Sequence, residues 1–325
     1  MREILQRFAG CRVVVVGDVV LDEHVVGRAT RLSREAPVPV LELAERSWRP
    51  GAATNAATNV AALGGRPVMV GIVGADDSGR RLRTELNRAN VDDSGLVEAA
   101  DRTTAIKTRI LATHASAHPQ QVARIDDLPP VQISELVEQQ LVSQVEALVP
   151  GADAVLVSNY RGGVVTPRVI RAVVEAAGNA GIPTCVDTQG DLLTFRGFTL
   201  IKSNQPDAEV ALGERLQHES DFQRAGSRLL LELEARHAVI TRGGDGMSVI
   251  GEGGSHTHLH PTNRTDVWDV TGAGDTVIAV LALGLAATIE LVDAARLANA
   301  AAGLVVRRVG VATVSPKELL AALQG

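Results

Sequence analysis

The stretch Asp269-Val270-Thr271-Gly272-Ala273-Gly274-Asp275-Thr276 combines residue types suited to phosphoryl transfer. It runs directly into the apolar segment Val277-Ile278-Ala279-Val280-Leu281-Ala282-Leu283, so the spacing predicts a loop that turns into a helix. At such a turn the amides of Gly272, Ala273 and Gly274 lack intrahelical acceptors and lie at the positive end of the helix dipole, which makes them an anion site. A carboxylate beside an anion costs electrostatic energy unless it accepts the proton of a hydroxyl attacking phosphorus, and that is the role expected of Asp275. The same letters also spell an ordinary turn with an Asp N-cap, so the rest of the chain must decide.

A second candidate stretch is Pro50-Gly51-Ala52-Ala53-Thr54-Asn55, read as a small-residue loop entering an Ala-rich helix that ends at Gly64-Gly65. Tiny side chains let backbone and ligand approach closely. Asn55 and Asn59, one helical turn apart, share a face, and Asn55 can offer a donor and an acceptor to a sugar hydroxyl. Alone, such a segment serves tight helix packing as readily as binding.

The elements that must position these residues read as an α/β chain. Arg12-Val13-Val14-Val15-Val16-Gly17-Asp18 is a buried strand opening onto a crevice, and strands at 68–73, 154–158, 184–187, 199–203 and 238–241 alternate with helices at 78–89, 167–177 and 221–233. Strands separated by helices imply a parallel sheet covered on both faces, with ligand groups at the carboxyl ends of strands. Asp18, Asn159, Asp187, Asn204 and Thr241 all fall there. Between residues 19 and 45, and again at 103–126, apolar and polar residues alternate instead, which predicts a small sheet with one wet face, a lid or a plain edge hairpin. His256, His258 and His260 also alternate; without a carboxylate or Cys nearby in sequence they are read as an exposed hairpin strand rather than a metal site.

Composition excludes several classes. Nearly half of the 325 residues are apolar but only 2% are aromatic, so Val, Leu, Ile and Ala must build the core. A net charge of −6 argues against a nucleic-acid binder, whose affinity rests on a basic surface. The two cysteines, Cys11 and Cys185, lie apart at strand edges and are expected to be buried free thiols in a reducing compartment. The charged N-terminal segment predicts a short amphipathic helix rather than a leader, and no apolar run is long enough to span a bilayer. Repeats and low-complexity linkers are absent, so residues 1–325 are expected to form one unit in the cytoplasm.

Taken together, the two motifs resemble the signatures of the ribokinase family of carbohydrate kinases, and the resemblance runs from Val13 to about Leu320. Within that family the chain is most similar to heptose 7-phosphate kinases that feed ADP-heptose synthesis, through Gly17-Asp18-Val19-Val20-Leu21-Asp22, Ser33-Arg34-Glu35-Ala36-Pro37-Val38-Pro39-Val40, Lys107-Thr108-Arg109, residues 266–277, Ala298-Asn299-Ala300-Ala301-Ala302-Gly303 and Val314-Ser315-Pro316. The resemblance implies a three-layer α/β/α sandwich with a mostly parallel central sheet and a β-sheet lid. It implies the kinase half alone, without the nucleotidyltransferase domain fused to it in some relatives. Asp275 is the implied base and Gly272, Ala273 and Gly274 the anion hole. Asp22, Gly51 and Asn55 match sugar-binding positions, and Lys107 would meet an anionic part of the substrate. Thr241, Gly243 and Gly246 match a nucleotide-binding segment, Asn299 lies in the stretch flanking the adenine, and Asn204 and Asp207 match the Asn-x-x-Glu element that organises Mg²⁺ through water. Asp269 and Thr271 match positions that bind a monovalent cation such as K⁺ in several relatives, and relatives pair through their lids, so a homodimer is expected.

This sequence departs from that pattern in places. Ala52 replaces the second Gly of the N-terminal signature, where its methyl group would narrow the sugar pocket, and Asp207 shortens the Glu. Heptose kinases carry Ser-Asp-Tyr-x-Lys-Gly and Asp-Pro-Lys-Gly where this chain has Ser158-Asn159-Tyr160-Arg161-Gly162-Gly163 and Asp187-Thr188-Gln189-Gly190. Arg161 restores one positive charge and Gln189 does not restore the other. The reading is therefore a Mg-ATP-dependent sugar kinase, with O1 of D-glycero-D-manno-heptose 7-phosphate as acceptor. A kinase for another sugar or a nucleoside, and a sugar-binding regulator without turnover, are the alternatives.

Overall fold

The computed structural model describes residues 1–113, 119–262, 267 and 269–324. In chain order the elements are α1 (Arg2–Arg7), β1 (Arg12–Gly17), β2 (Val19–Leu32), β3 (Pro39–Ala52), α2 (Ala53–Ala62), β4 (Arg66–Gly74), α3 (Asp77–Arg88), β5 (Leu96–Ala99), β6 (Ala105–Thr113) and β7 (Gln120–Asp127). There follow α4 (Glu135–Leu148), β8 (Ala154–Asn159), α5 (Pro167–Ala180), β9 (Thr184–Thr188), β10 (Leu200–Asn204), α6 (Gln205–Leu212), α7 (Glu219–Leu233), β11 (His237–Thr241), β12 (Met247–Ile250), β13 (His256–Leu259), α8 (Ala273–Ala286), α9 (Leu291–Val305) and α10 (Pro316–Ala322).

Nine strands form one sheet in the order β13-β12-β11-β10-β9-β8-β1-β4-β5. From β11 across to β5 every pairing is parallel, and β12 and β13 close one end antiparallel. The unbroken Val13-Val14-Val15-Val16 run follows from cover on both faces: Val13 and Val15 pack with α2, α8 and α9, whereas Val14 and Val16 pack with α4, α5 and α7. From β1 the chain builds outward to β4 and β5, then returns to the other side of β1 with β8. The order reverses there, and open α/β sheets hold their ligands at that crevice.

The remaining strands form a separate four-stranded sheet, β3-β2-β6-β7. Its strand β2 pairs antiparallel with β3 and parallel with β6. Arg49-Pro50-Gly51-Ala52 is the end of β3, not a loop, and the chain enters α2 directly. Proline is accommodated because β3 is an edge strand. Cys185 is buried as expected but Cys11 is only half-buried. The His256 strand is a hairpin strand as expected, antiparallel to β12, but it forms the edge of the main sheet, and its His256 and His258 are half-buried while His260 beyond it is exposed. The sequence pattern offered no expectation for β5, α4, α6, β12, α9 or α10. Residues 263–266 and 268, part of one resembling stretch, lie outside the described residues. Among the described residues no helix is long and apolar enough to cross a membrane.

Candidate active site

The first turn of α8 lies at the crevice. Gly272 is its N-cap at φ +78°, and a Cβ there would come within 2.7 Å of Asn55 Nδ2, so this close approach requires glycine. The expected trio of free amides is reduced to two. Ala273 N–H donates to Val270 O at 3.2 Å, because the left-handed cap turns that amide back onto its own loop. The amides of Gly272 and Gly274 have no acceptor among the described residues.

Asp275, one residue further, is 3% exposed. Asn55 Nδ2 donates to its Oδ2 and Tyr160 Oη donates to its Oδ1, both at 2.7 Å. Burial pushes the Asp275 carboxyl up to about 7, against the two hydrogen bonds, which favour the ionised form; Asp187 adds to the rise and Lys202 opposes it. A carboxyl that titrates near neutrality is matched to general-base work. Behind it, Asn59 Nδ2 donates to Asn55 O, and Thr276 Oγ1 donates to Asn59 Oδ1, so α2 and α8 are locked together by side chains that leave Asn55 aimed at Asp275.

A cleft of about 600 Å³ opens from this point, lined by Asp187, Gln189, Lys202, Asn204, Thr241 and Gly243 together with Gly272, Gly274 and Asp275. Asn204 caps α6: its Oδ1 accepts from Asp207 N and its Nδ2 donates to Asp207 Oδ2, each at 2.8 Å. That leaves Asp207 Oδ1 without a partner among the described residues. Two expected nucleotide residues are not on the cleft. Asn299 Nδ2 donates to His260 O at 2.6 Å, and Gly246 packs under β13, where a Cβ would meet Leu259 O at 2.0 Å. Asp269 and Thr271 brace the loop before α8: Asp269 accepts from Thr271 N and Gly310 N. Its burial disfavours the charge, but these hydrogen bonds and the Arg109 charge outweigh that and hold the carboxyl below its usual range.

The sugar-side residues come from the foot of the small sheet. Asp22 and Arg109, on paired strands, form a buried ion pair at 2.5 Å. Gly51 faces the same carboxylate, and a Cβ on it would lie 2.5 Å from Asp22 Oδ2. A separate small cavity of about 90 Å³ is lined by Asp18, Arg102, Lys107, Tyr160, Arg161 and Gly162, among others. It gathers Lys107 and Arg161, as expected of an anion-holding rim, although the Arg161 guanidinium is half-turned toward Asp191 at 3.5 Å. Arg102 adds a third positive charge, while donating to Pro130 O and Gly162 O. Asp18 accepts from the amides of Tyr160, Gly162 and Val164, and so shapes the loop that presents Tyr160.

Three residues here escaped the sequence reading. Tyr160 is the chain's only tyrosine and directly follows the strand-end Asn159, a signal available in the sequence. Lys202 follows the apolar pair Leu200-Ile201 in a buried strand and is 5% exposed. Arg102 carried no signal, since its placement depends on the loop at 160–164. The histidines also gain a carboxylate from afar: Glu219 lies 3.1 Å from His258 Nδ1. Among the described residues no group of three or more His, Cys, Asp and Glu is arranged to hold a metal ion.

A profile of the pfkB family carbohydrate kinases matches residues 12–318. The chain is 40% identical over 322 residues to the bifunctional protein HldE of Citrifermentans bemidjiense, covering 99% of this chain and 65% of that protein. It is 41% identical over 311 residues to the bifunctional protein HldE of Geobacter metallireducens, covering 95% of this chain and 62% of that one. The chain therefore spans somewhat less than two thirds of the length of these curated relatives. Among solved structures, phosphofructokinase-2 from Escherichia coli in complex with potassium superposes with a TM-score of 0.80 at 20% identity, covering 97% of this chain and 98% of that one. Arabidopsis thaliana ribokinase complexed with ribose and ATP gives 0.74 at 18%, covering 98% and 99%. These two likenesses establish the ribokinase-like fold.

Proposed function

This chain belongs to the pfkB family of carbohydrate kinases, and on that premise we propose that it transfers the γ-phosphoryl group of ATP to O1 of D-glycero-D-manno-heptose 7-phosphate. The observation that carries the chemistry is Asp275: a buried carboxylate titrating near neutrality, beside two unpartnered amides at a helix N-terminus. As the sugar O–P bond forms, Asp275 takes the hydroxyl proton. The bond from phosphorus to the bridging oxygen breaks and ADP leaves with that electron pair. The amides of Gly272 and Gly274 receive the charge that builds on the transferred group.

Support for a sugar phosphate comes from the resemblance to heptose kinases, from the relatives named HldE, and from the cations Lys107 and Arg161. In this reading Asp22, Gly51 and Asn55 hold sugar hydroxyls, while Thr241 and Gly243 line the nucleotide's path. Gly246 supports that path by fixing the turn, and Asn299 by fixing the strand beside it. The family's kinases use a divalent metal with ATP. Mg²⁺ fits the residues present, since it is commonly held by one or two carboxylates plus phosphates and water; Asn204 and the free oxygen of Asp207 would hold its water shell. Bound there it would screen the phosphate charge. Asp269 and Thr271 are assigned to K⁺, because a carboxylate has about four lone-pair sites and Asp269 commits fewer to its loop. The requirement for ATP puts the reaction in the cytoplasm.

The small sheet serves as a lid in this reading, and it also carries a homodimer contact. Leu32, Leu43, Val122 and Ile125 project from it, each between 48% and 69% exposed. Introducing Ile125→Asp should turn a dimer into a monomer by light scattering, and a wild-type monomer would end that part of the assignment.

ADP release with Mg-ATP, measured against D-glycero-D-manno-heptose 7-phosphate, ribose, fructose 6-phosphate and adenosine, tests the substrate. Preferred turnover of the heptose phosphate is expected. One observation favours the second reading, another sugar: Gly162 cannot regain the lysine of the resembling kinases, since a Cβ there would stand 2.7 Å from Asp18 Oδ1, a carboxylate pinned by three amides. Preference for an unphosphorylated sugar would establish that reading, and sugar binding without ADP release would make the protein a regulator.

A further inference from the structure

Lys202 has no part in the reaction as read so far, and its surroundings give it one. It lies in β10 opposite Asp187 of β9, and its Nζ donates to Asp187 Oδ2 at 2.7 Å. A Cβ built on Gly274 would lie 2.9 Å from the same Nζ, so the ammonium stands against the first turn of α8, beside the unpartnered Gly274 amide. The side chain is about 6% exposed, and Asp187 is its only hydrogen-bonding partner among the described residues.

An ammonium carries three donors and this one spends a single donor on protein. Buried donors left unmade are costly, so natural interiors avoid them unless something else fills them. Here Lys202 lines the 600 Å³ cleft together with Gly272 and Gly274, so a ligand in that cleft can take up its remaining donors. Gln189 borders the same cleft, at the position where the resembling heptose kinases carry a lysine. The positive charge missing from Gln189 is thus present in the cleft, supplied from the neighbouring strand.

We propose that Lys202 is a catalytic residue that contacts the γ-phosphoryl group of ATP, with the Gly272 and Gly274 amides on one side of that group and Lys202 on another. Asp187 acts as a positioning residue: it holds the ammonium at the mouth of α8 and keeps it from closing onto Asp275. This deepens the kinase reading and rests on it for the identity of the anion, but the sugar plays no part in the contact. Removing a single preorganised donor from a developing oxyanion commonly costs 10²–10³-fold in turnover, and Lys202→Met is expected to fall in about that range.

The discriminating measurement is calorimetric binding of Mg-ATP and Mg-ADP to the wild type, Lys202→Met, Asp187→Asn and the double variant, without sugar. The double variant removes both charges together, so it remains informative if Lys202→Met alone unfolds. If Lys202 meets the γ-phosphoryl group, the ratio of ADP to ATP dissociation constants falls about tenfold or more in both variants lacking the lysine, and by clearly less in Asp187→Asn, where the ammonium remains but is no longer held in place. Restoration of the ratio in the double variant would reduce Lys202 to half of a structural ion pair. A ratio unmoved by losing the lysine, or a wild type that does not distinguish ATP from ADP, would also overturn the proposal. Failure of the wild type to phosphorylate any sugar phosphate would overturn the substrate assignment instead and leave this ratio standing.

Discussion

The crevice at β1 and β8 and the foot of the small sheet both hold buried carboxylates, and they treat them in opposite ways. Asp22 is met at 2.5 Å by a full positive charge, Arg109, in a pair that closes on itself. Asp275 is met by neutral donors, Asn55 and Tyr160, while Lys202, a cation whose charge lowers the Asp275 pKa, is paired to Asp187. The first arrangement keeps a charge in place and the second leaves a proton affinity adjustable. In the proposed kinase reading, this difference separates a residue that holds the substrate from one that works on it.

Replacing Asp275 by Asn gives the largest expected effect. The amide keeps the shape and cannot accept the proton, so turnover should drop by about 10³-fold or more with ATP affinity nearly unchanged. Near-normal turnover would break the comparison at its root. The same carboxyl sets a pH dependence: with its pKa raised to about 7, activity should climb through neutrality and stand near one tenth of its plateau at pH 6. Stability should move the other way. A raised carboxyl pKa stabilises the fold while the group is protonated, and that contribution is lost as pH rises from about 3.8 through 7, at most about 4 kcal/mol. Asp275→Asn should therefore melt higher than the wild type at pH 8 and show no such gain near pH 4; equal shifts at both values would refute the assignment.

Breaking the pair at the small sheet tests the other side of the contrast. Arg109→Met leaves Asp22 buried beside Gly51 without a counter-charge, which should cost about 3 kcal/mol in denaturant unfolding and raise the sugar KM while sparing the acid limb of the pH profile. A shifted limb would mean that the two regions are not electrostatically separate. Tyr160→Phe is smaller and confined to the crevice. Losing a donor to the ionised form should raise the Asp275 pKa further and slow turnover at pH 7 by roughly tenfold, with most of the loss recovered at pH 9.

What the sequence revealed tracks the physics of each region. The buried strands were readable because continuous Val runs have few other uses, and Asp275 because Gly-Ala-Gly before an apolar run restricts the backbone so narrowly. Tyr160 and Lys202 act across elements 115 and 73 positions from Asp275, and no local pattern encodes such pairings. The Ala273 amide was misassigned because the left-handed Gly272 bends it onto Val270, a detail of φ rather than of residue type. The side chain of Arg161 turns partly toward Asp191, thirty positions on, a pairing that no local sequence pattern signals.

Ala52 joins the two regions, and its substitution carries the smallest expected effect. From the sequence its methyl group would narrow the sugar pocket. The structure places the residue at the junction of β3 and α2 with φ +52° and ψ −133°, a conformation that L side chains rarely adopt and glycine accepts freely. Such strain costs on the order of 1–3 kcal/mol, more than the conformational entropy that alanine saves over glycine in the unfolded chain. Ala52→Gly should thus stabilise the protein by about 1 kcal/mol, against the usual direction of that exchange in a helix or strand. If strain is the whole effect, the melting temperature rises and the sugar KM stays fixed. A falling KM with unchanged stability would instead mean that the methyl group obstructs the pocket and that the junction bears little strain, which would move Ala52 from the supporting backbone to the substrate-holding side of the comparison.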